Sequence, residues 1–144
     1  MADSTTASAS LTAMAVAATA LRAQQARMRV IAENMANAES VSTTAGGDPY
    51  RRQIPVFTPI TVPGTGGVKG VAMTSAAPDQ TPFRSEYQPG NPSADAKGYV
   101  KLPNVDALVE ALDMRDAQRA YESNLSVIET ARQMQTSTLD IIKK

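Results

Sequence analysis

The sequence predicts a mainly α chain, with long N- and C-terminal helices packed as a coiled coil and a small, irregular, β-containing middle segment. Two observations carry this. All eight glycines and nine prolines fall between residues 46 and 103, where they mark turns and loops. On either side, apolar residues recur at alternating steps of three and four, as in a helix that packs along its length against another. The chain thus divides into a disordered segment at 1–10, an N-terminal helix at 11–40, a partly β middle region at 41–103 and a C-terminal helix at 104–144.

Residues 2–10 (ADSTTASAS) are small and polar and offer nothing to bury. From Leu11 the pattern is regular: Leu11, Met14, Ala18, Leu21, Gln25, Met28, Ala32 and Met35 form a heptad seam that is almost wholly apolar. Ser10 is the expected N-cap. A neighbouring stripe, Ala13, Ala17, Ala20, Gln24, Arg27, Ile31, Asn34 and Ala38, is mostly small and would let a second neighbour approach closely.

In the middle region Ile54, Val56, Thr58, Ile60 and Val62 alternate as a strand does, while Pro55 and Pro59 restrict it to a sheet edge. Pro63–Gly67 reads as a turn and Val68–Thr74 as the return strand, with further short strands at Pro82–Tyr87 and Tyr99–Leu102. The run Gly64-Thr65-Gly66-Gly67-Val68-Lys69-Gly70 has a superficial likeness to a phosphate loop. Gly70 stands where that motif needs a hydroxyl, so the run is read as a hairpin turn.

At the C-terminal end, Asn104 after Pro103 is the expected N-cap, followed by the apolar start Val105, Leu108, Val109 and Leu112. Tyr121, Leu125, Ile128, Arg132, Gln135, Leu139 and Ile142 keep the heptad step. Beside them runs a second stripe, Ala120, Asn124, Val127, Ala131, Met134, Thr138 and Ile141. The carboxylates at 106, 110, 113 and 116 are read as a solvated face.

Charge and composition exclude several functions. Residues 41–104 carry four acidic and six basic groups, and residues 105–144 seven and five, so no segment has the basic stripe that nucleic acid or an anionic membrane requires. Without His or Cys the commonest metal ligands, the usual general base and any disulfide are missing. No catalytic residue, cofactor or metal site is expected. Leu11–Leu21 is apolar and Ala18-Thr19-Ala20 has the form of a cleavage site. Only Asp3 is charged upstream of the run, so it lacks the positive start of a secretory signal, and it is too short to span a bilayer.

Two apolar stripes on each helix are more than an intramolecular pair can cover. Either neighbouring copies supply the remaining walls, giving a non-closing helical assembly, or the chain is a self-contained helical hairpin with a β insert.

Val30-Ile31-Ala32-Glu33-Asn34-Met35-Ala36-Asn37-Ala38 resembles the N-terminal signature of the flagellar rod and hook axial family. Asp113-Met114, then Arg119–Asn124 and Ala131–Met134, resemble its C-terminal signature. Pro49–Arg52, Tyr87–Asp95 and Gly98–Val105 are similar to segments of its proximal-rod members, although Asn91 and the 53–81 stretch depart from the pattern.

The resemblance implies a structural subunit of the proximal rod of the bacterial flagellar basal body. Such a subunit assembles helically to transmit torque and is exported without a cleaved signal into the periplasm. The implied partners are copies of itself, the rod subunits FliE, FlgB, FlgF and FlgG, the flagellar export apparatus, and the L and P rings around the rod. Neither nucleic acid nor a membrane span is implied. The alternatives are another axial rod subunit such as FlgB, or a soluble coiled-coil adaptor. On either assembly reading, the interface residues are Leu11, Met14, Leu21, Met28, Ile31, Asn34, Met35, Asn37, Tyr121, Asn124, Leu125, Ile128, Met134, Leu139 and Ile142. Asn34 and Asn37 are read either as hydrogen-bonding between copies or as a helix C-cap.

Overall fold

The first helix, α1, spans Ala2–Ala36 in the computed structural model, which describes residues 2–142 and side-chain burial from 8 to 140. It starts ahead of Ser10, the expected N-cap. Alanine favours the helix strongly and serine tolerates it, and Thr12 Oγ1 donates to Ser8 O at 2.9 Å across the expected boundary. The helix ends where Asn37 folds its own amide back, Nδ2 donating to Glu33 O at 2.8 Å.

Two strands follow, β1 at Gln53–Thr61 and β2 at Lys69–Pro78, forming a two-stranded sheet. With only two strands each is an edge, so Pro55 and Pro59 are accommodated in β1. The turn closes with Val62 N donating to Val68 O at 2.9 Å. The glycine-rich run is therefore a hairpin turn, with positive φ at Gly64, Gly66 and Gly67. A second sheet pairs β3 (Arg84–Tyr87) with β4 (Tyr99–Leu102), antiparallel, with Arg84 opposite Leu102 and Tyr87 opposite Tyr99. The last helix, α2, spans Ala107–Ile142.

Asp106, not Asn104, caps α2: its Oδ1 accepts from Leu108 N at 2.9 Å and from Val109 N at 3.3 Å. Asn104 instead bridges loops, accepting from Arg52 N at 2.8 Å and donating to Thr81 O at 3.1 Å.

The chain forms two contact units, one from residues 2–27, 57–74 and 116–142, the other from residues 28–56 and 75–115. Small residues dominate the interior of the first: Ala17, Thr19, Ala23, Ala117 and Ala131, with Val62 the largest buried apolar side chain. Thr19 ties α1 to the hairpin, because its Oγ1 accepts from Val71 N at 3.2 Å while donating to Val16 O at 2.7 Å. A Cβ at Gly70 would lie 2.5 Å from that oxygen, so only glycine allows the approach. The second unit buries Val30, Ile31, Ala38, Val100, Pro103 and Val105 together with the polar Asn34, Ser93 and Glu110.

Gly98 closes the β3–β4 loop at φ +82°, and a Cβ there would come 2.9 Å from Tyr87 Cε2. Tyr87 and Tyr99 stack edge to face at that end, ring centroids 5.3 Å apart. Gly98→Ala is expected to cost about 1–2 kcal/mol, the usual penalty of left-handed backbone, read as a lower urea midpoint. Gly90→Ala, with nothing within 4 Å of the added carbon, should leave it unchanged. Equal midpoints for the two variants would contradict this account of the loop.

Candidate assembly surface

In the second unit the interior is built on a carboxylate. Glu110, on the first turn of α2, is 0% exposed. Its Oε1 accepts from Arg52 Nε at 2.5 Å and its Oε2 from Asn34 Nδ2 at 3.1 Å. The rest of the Arg52 guanidinium reaches Asp79 Oδ2 at 3.4 Å and Asp113 Oδ2 at 3.5 Å. Asn34 satisfies all sides of its amide, donating also to Gln53 O at 2.8 Å and accepting at Oδ1 from Tyr50 OH and Gln53 N, both at 2.9 Å. A buried charge is tolerated only when paired and hydrogen-bonded, as here.

Electrostatics follow the geometry. The Thr81 backbone amide, then the Thr81 hydroxyl and Arg52, hold the Asp79 carboxyl below the usual carboxylate range, against the effect of burial. Burial works to lower the Arg52 guanidinium, but hydrogen bonding and attraction from Glu110 and Asp79 outweigh it and raise it. Burial, with Glu33 and Glu110 nearby, raises the Tyr50 phenol, so its hydroxyl stays a donor to Asn34. Around this network Arg51 lies over the Phe83 ring, 4.1 Å from its centroid, and donates to Asp79 O at 2.8 Å.

In the first unit the seam differs from the one expected. On α2 the shielded residues include Ala117, Tyr121, Asn124, Ile128, Ala131, Gln135 and Thr138, again at steps of four and three, with Ala120 beside them. They run between the two expected stripes. On α1 the small stripe through Ala17, Ala20 and Gln24 turns inward, while Leu11 is 58% exposed. The physical reason is size. Alanines let backbones approach closely, so Ala17, Ala23, Ala117 and Ala131 take the fully buried positions, Tyr121 and Ile128 are half-buried beside them, and several large apolar side chains are left outside. Leu125, Val127, Met134 and Leu139 are accordingly exposed, Leu139 to 60%. In the second unit Met35, Leu108, Val109 and Leu112 are exposed as well.

The expected interface residues therefore separate into groups. Leu11, Met35, Leu125, Met134 and Leu139 present open apolar surface. Met14, Leu21, Met28, Tyr121, Asn124 and Ile128 are half-buried, and Asn124 Nδ2 donates to Ala120 O within its own helix at 2.7 Å. Ile31 and Asn34 are interior in the single chain, Asn34 being 1% exposed. Asn34 spends its amide inside the chain, and Asn37 caps the Glu33 carbonyl. The side chains of Ile141 and Ile142 lie outside the described residues.

Glu110 corrects the expected solvated face of α2, since Arg52 and Asn34 hold it in the interior, while Asp113 keeps its side chain 37% exposed as it reaches Arg52. Heptad counting could not find this partnership, because Arg52 and Glu110 are 58 residues apart. No helix among the described residues is long and apolar enough to cross a membrane.

Comparison with known proteins places this geometry. A family model described as flagellar basal body rod FlgEFG protein C-terminal matches residues 96–141, which hold β4 and nearly all of α2. The flagellar basal-body rod protein FlgC of Agrobacterium fabrum is 43% identical over 128 residues, covering 89% of this chain and 91% of that protein. That of Salmonella typhimurium is 44% identical over 128 residues, covering 88% and 92%. That of Borreliella burgdorferi is 40% identical over 144 residues, covering 89% and 94%.

Two outcomes follow from the polar network. Arg52→Met strands a buried carboxylate and is expected to cost about 3–5 kcal/mol. In Arg52→Met/Glu110→Leu the loss should fall short of the two single losses together by about 1 kcal/mol or more. Additive losses in urea titrations would mean the two residues are not coupled. For acid, the folded-state pKa values of Asp79, Asp48 and Asp95 are lowered, by the Thr81 amide, the Lys101 hydrogen bond and the Tyr99 amide respectively. Lowered carboxylates stabilise above the unfolded value and lose that contribution as pH falls through the folded one. Stability should therefore be flat near neutrality and decline below about pH 4, less steeply in Asp79→Asn. A midpoint that is unchanged in acid would contradict this.

Proposed function

This chain belongs to the FlgC family of flagellar basal-body rod proteins, and on that footing we propose how it serves as a structural subunit of the rod. Its copies assemble helically in the proximal rod and carry torque through interlocked helices. The outward apolar faces of α1 and α2 are the joining surfaces, formed by Leu11, Met35, Leu125, Met134 and Leu139 with the half-buried Met14, Leu21, Met28, Tyr121 and Ile128 at their margins. The single observation that carries this reading is the rotated seam. In the first unit small side chains close much of the interior, while Leu11 of α1 and Leu125, Val127, Met134 and Leu139 of α2 are held outward.

The energetics favour the same reading. Burying apolar surface is worth about 25 cal/mol per Å², and a leucine left half exposed recovers that only when a neighbour covers it. Exposed apolar patches of this kind mark association surfaces. A contact between unlike faces repeats without closing and builds a helical tube.

The neighbours in this proposal are copies of the same chain and other rod components, among them FliE, FlgB, FlgF and FlgG. The flagellar export apparatus delivers the chain unprocessed to the periplasm, and the L and P rings surround the finished rod. The role is structural and calls on no catalytic group. The segments follow the same logic: 11–40 and 104–144 supply the axial core and 41–103 shapes the subunit around it.

Leu125→Asp tests the reading. Because Leu125 is exposed in the chain, the free protein's stability should change by no more than about 0.5 kcal/mol. Secreted amounts should be normal, while the variant's content in purified basal bodies should fall at least about tenfold, since a buried unpaired charge is not tolerated at a packed interface. Normal rods and normal swimming would rule out this face as a joining surface.

A further inference from the structure

Three charges of α1 gather on one face. Arg22 and Arg29 stand seven residues apart, with Glu33 four residues beyond, and at about 100° per residue the three fall within about 40° of one another. All three are exposed. Arg27 lies about 140° around the helix from Arg22 and is not part of this face. The rest of the face is small or polar, with Ala15, Ala18, Gln25 and Ala26 beside the arginines.

The last helix carries the same spacing with the opposite sign. Glu122 and Glu129 are seven residues apart on one face of α2, and Arg115 and Arg119 precede them within about 60° of Glu122. These four are exposed. Neither they nor Arg22, Arg29 and Glu33 have a salt-bridge partner among the described residues. The other charges of α2 are placed differently. Glu110 and Asp113 engage Arg52. Asp116 and Arg132 lie about 120° and 80° from Glu122 on opposite sides, and Asp140 follows further along the stripe.

We propose that the Arg22–Arg29 face of one copy packs against the Glu122–Glu129 face of a second copy, with the two helices antiparallel. One register then serves the charges of both faces: Arg22 meets Glu129, Arg29 meets Glu122, and Glu33 falls between Arg119 and Arg115. Both arginine pairs fit because seven residues rise about 10.5 Å on either helix. Asp140 comes level with Leu11, and Arg132 passes to one side of Ala18, so no like charges are opposed. Parallel helices would also pair the arginines with the two glutamates. They would, however, set Arg115 and Arg119 level with Ala15 and Thr19, and Glu33 level with Gln133. Exposed ion pairs add little affinity but fix register and reject wrong alignments. Leu125, exposed about 60° from Glu122, adds apolar area at the margin. The faces that meet are unlike, so the contact propagates instead of closing. It rests on the rod-subunit reading above and deepens it by naming which faces meet and in which direction.

Charge exchange in the full chain tests the contact. As free proteins the variants should keep the wild-type urea midpoint, because each position is exposed. Arg22→Glu alone and Glu129→Arg alone should each lower the chain's content in purified basal bodies about tenfold, since like charges then face each other at every joint. Arg22→Glu/Glu129→Arg should return it to within about twofold of wild type. Arg29→Glu with Glu122→Arg is the second pair and should behave alike. Arg22→Glu/Glu122→Arg fits only the parallel register and should stay low. Arg22→Cys and Glu129→Cys are also expressed together as separate chains and mildly oxidised in basal bodies. They should give a covalent dimer holding one of each, the chain having no cysteine of its own. Single variants that incorporate normally, or double variants no better than their singles, would overturn the proposal. So would recovery in the parallel combination, or no mixed dimer from chains that are both incorporated. Absence of the unaltered chain from basal bodies would instead remove the rod-subunit reading, and this contact with it.

Discussion

A carboxylate with no exposure to solvent governs the second unit. Glu110 enters the interior from the first turn of α2 and is met there by Arg52 and by Asn34 of α1. Burying an ion costs several kcal/mol unless geometry and hydrogen bonds offset it, so each neighbour is constrained in turn. Asn34 must aim its amide at Glu110, which leaves its carbonyl oxygen for Tyr50 and Gln53. Arg52 must lie beside Asp79 and Asp113, and its backbone amide is received by Asn104. A charge that accepts few alternative arrangements specifies one packing where plain apolar contacts would allow several.

That specification shapes the outer surface. A helix whose polar residues turn inward to satisfy each other must turn apolar residues outward, and Leu108 and Leu112 stand opposite Glu110 for this reason. In the first unit the same result has another cause, since alanines along α1 and α2 win the interior by closeness of approach and leave Leu11, Leu125 and Leu139 outside. A subunit built this way withholds much of its burial energy from its own folding and releases it on association, which suits a protein whose place is in a rod.

Much of this was legible in the sequence. Confinement of Gly and Pro to 46–103 located the boundary between helices and middle region, because those residues act on local backbone freedom. Alternation around Pro55 and Pro59 located β1 for the same local reason. What failed was longer in range or finer in angle. The seam was read about one position off on α2, since a heptad count does not weigh alanine's closeness of approach against leucine's area. Glu110 looked solvated because charges at helical spacing usually are, and its partner lies 58 residues away. Asn104 and Asp106 are both good caps, and only the demand of Arg52 N for an acceptor decided between them.

On the proposed joining surfaces, the polar network folds the second unit in the free chain, while the helical ends gain their stability from neighbours. Amide hydrogen exchange, measured on the dilute free protein and on purified basal bodies, tests it most directly. Residues 28–56 and 75–115 should be protected in both states, and residues 2–27 and 116–142 should become protected only in the assembly. Protection of those ends that is equally strong in the dilute chain would contradict the account, because it would mean the helices complete their packing alone.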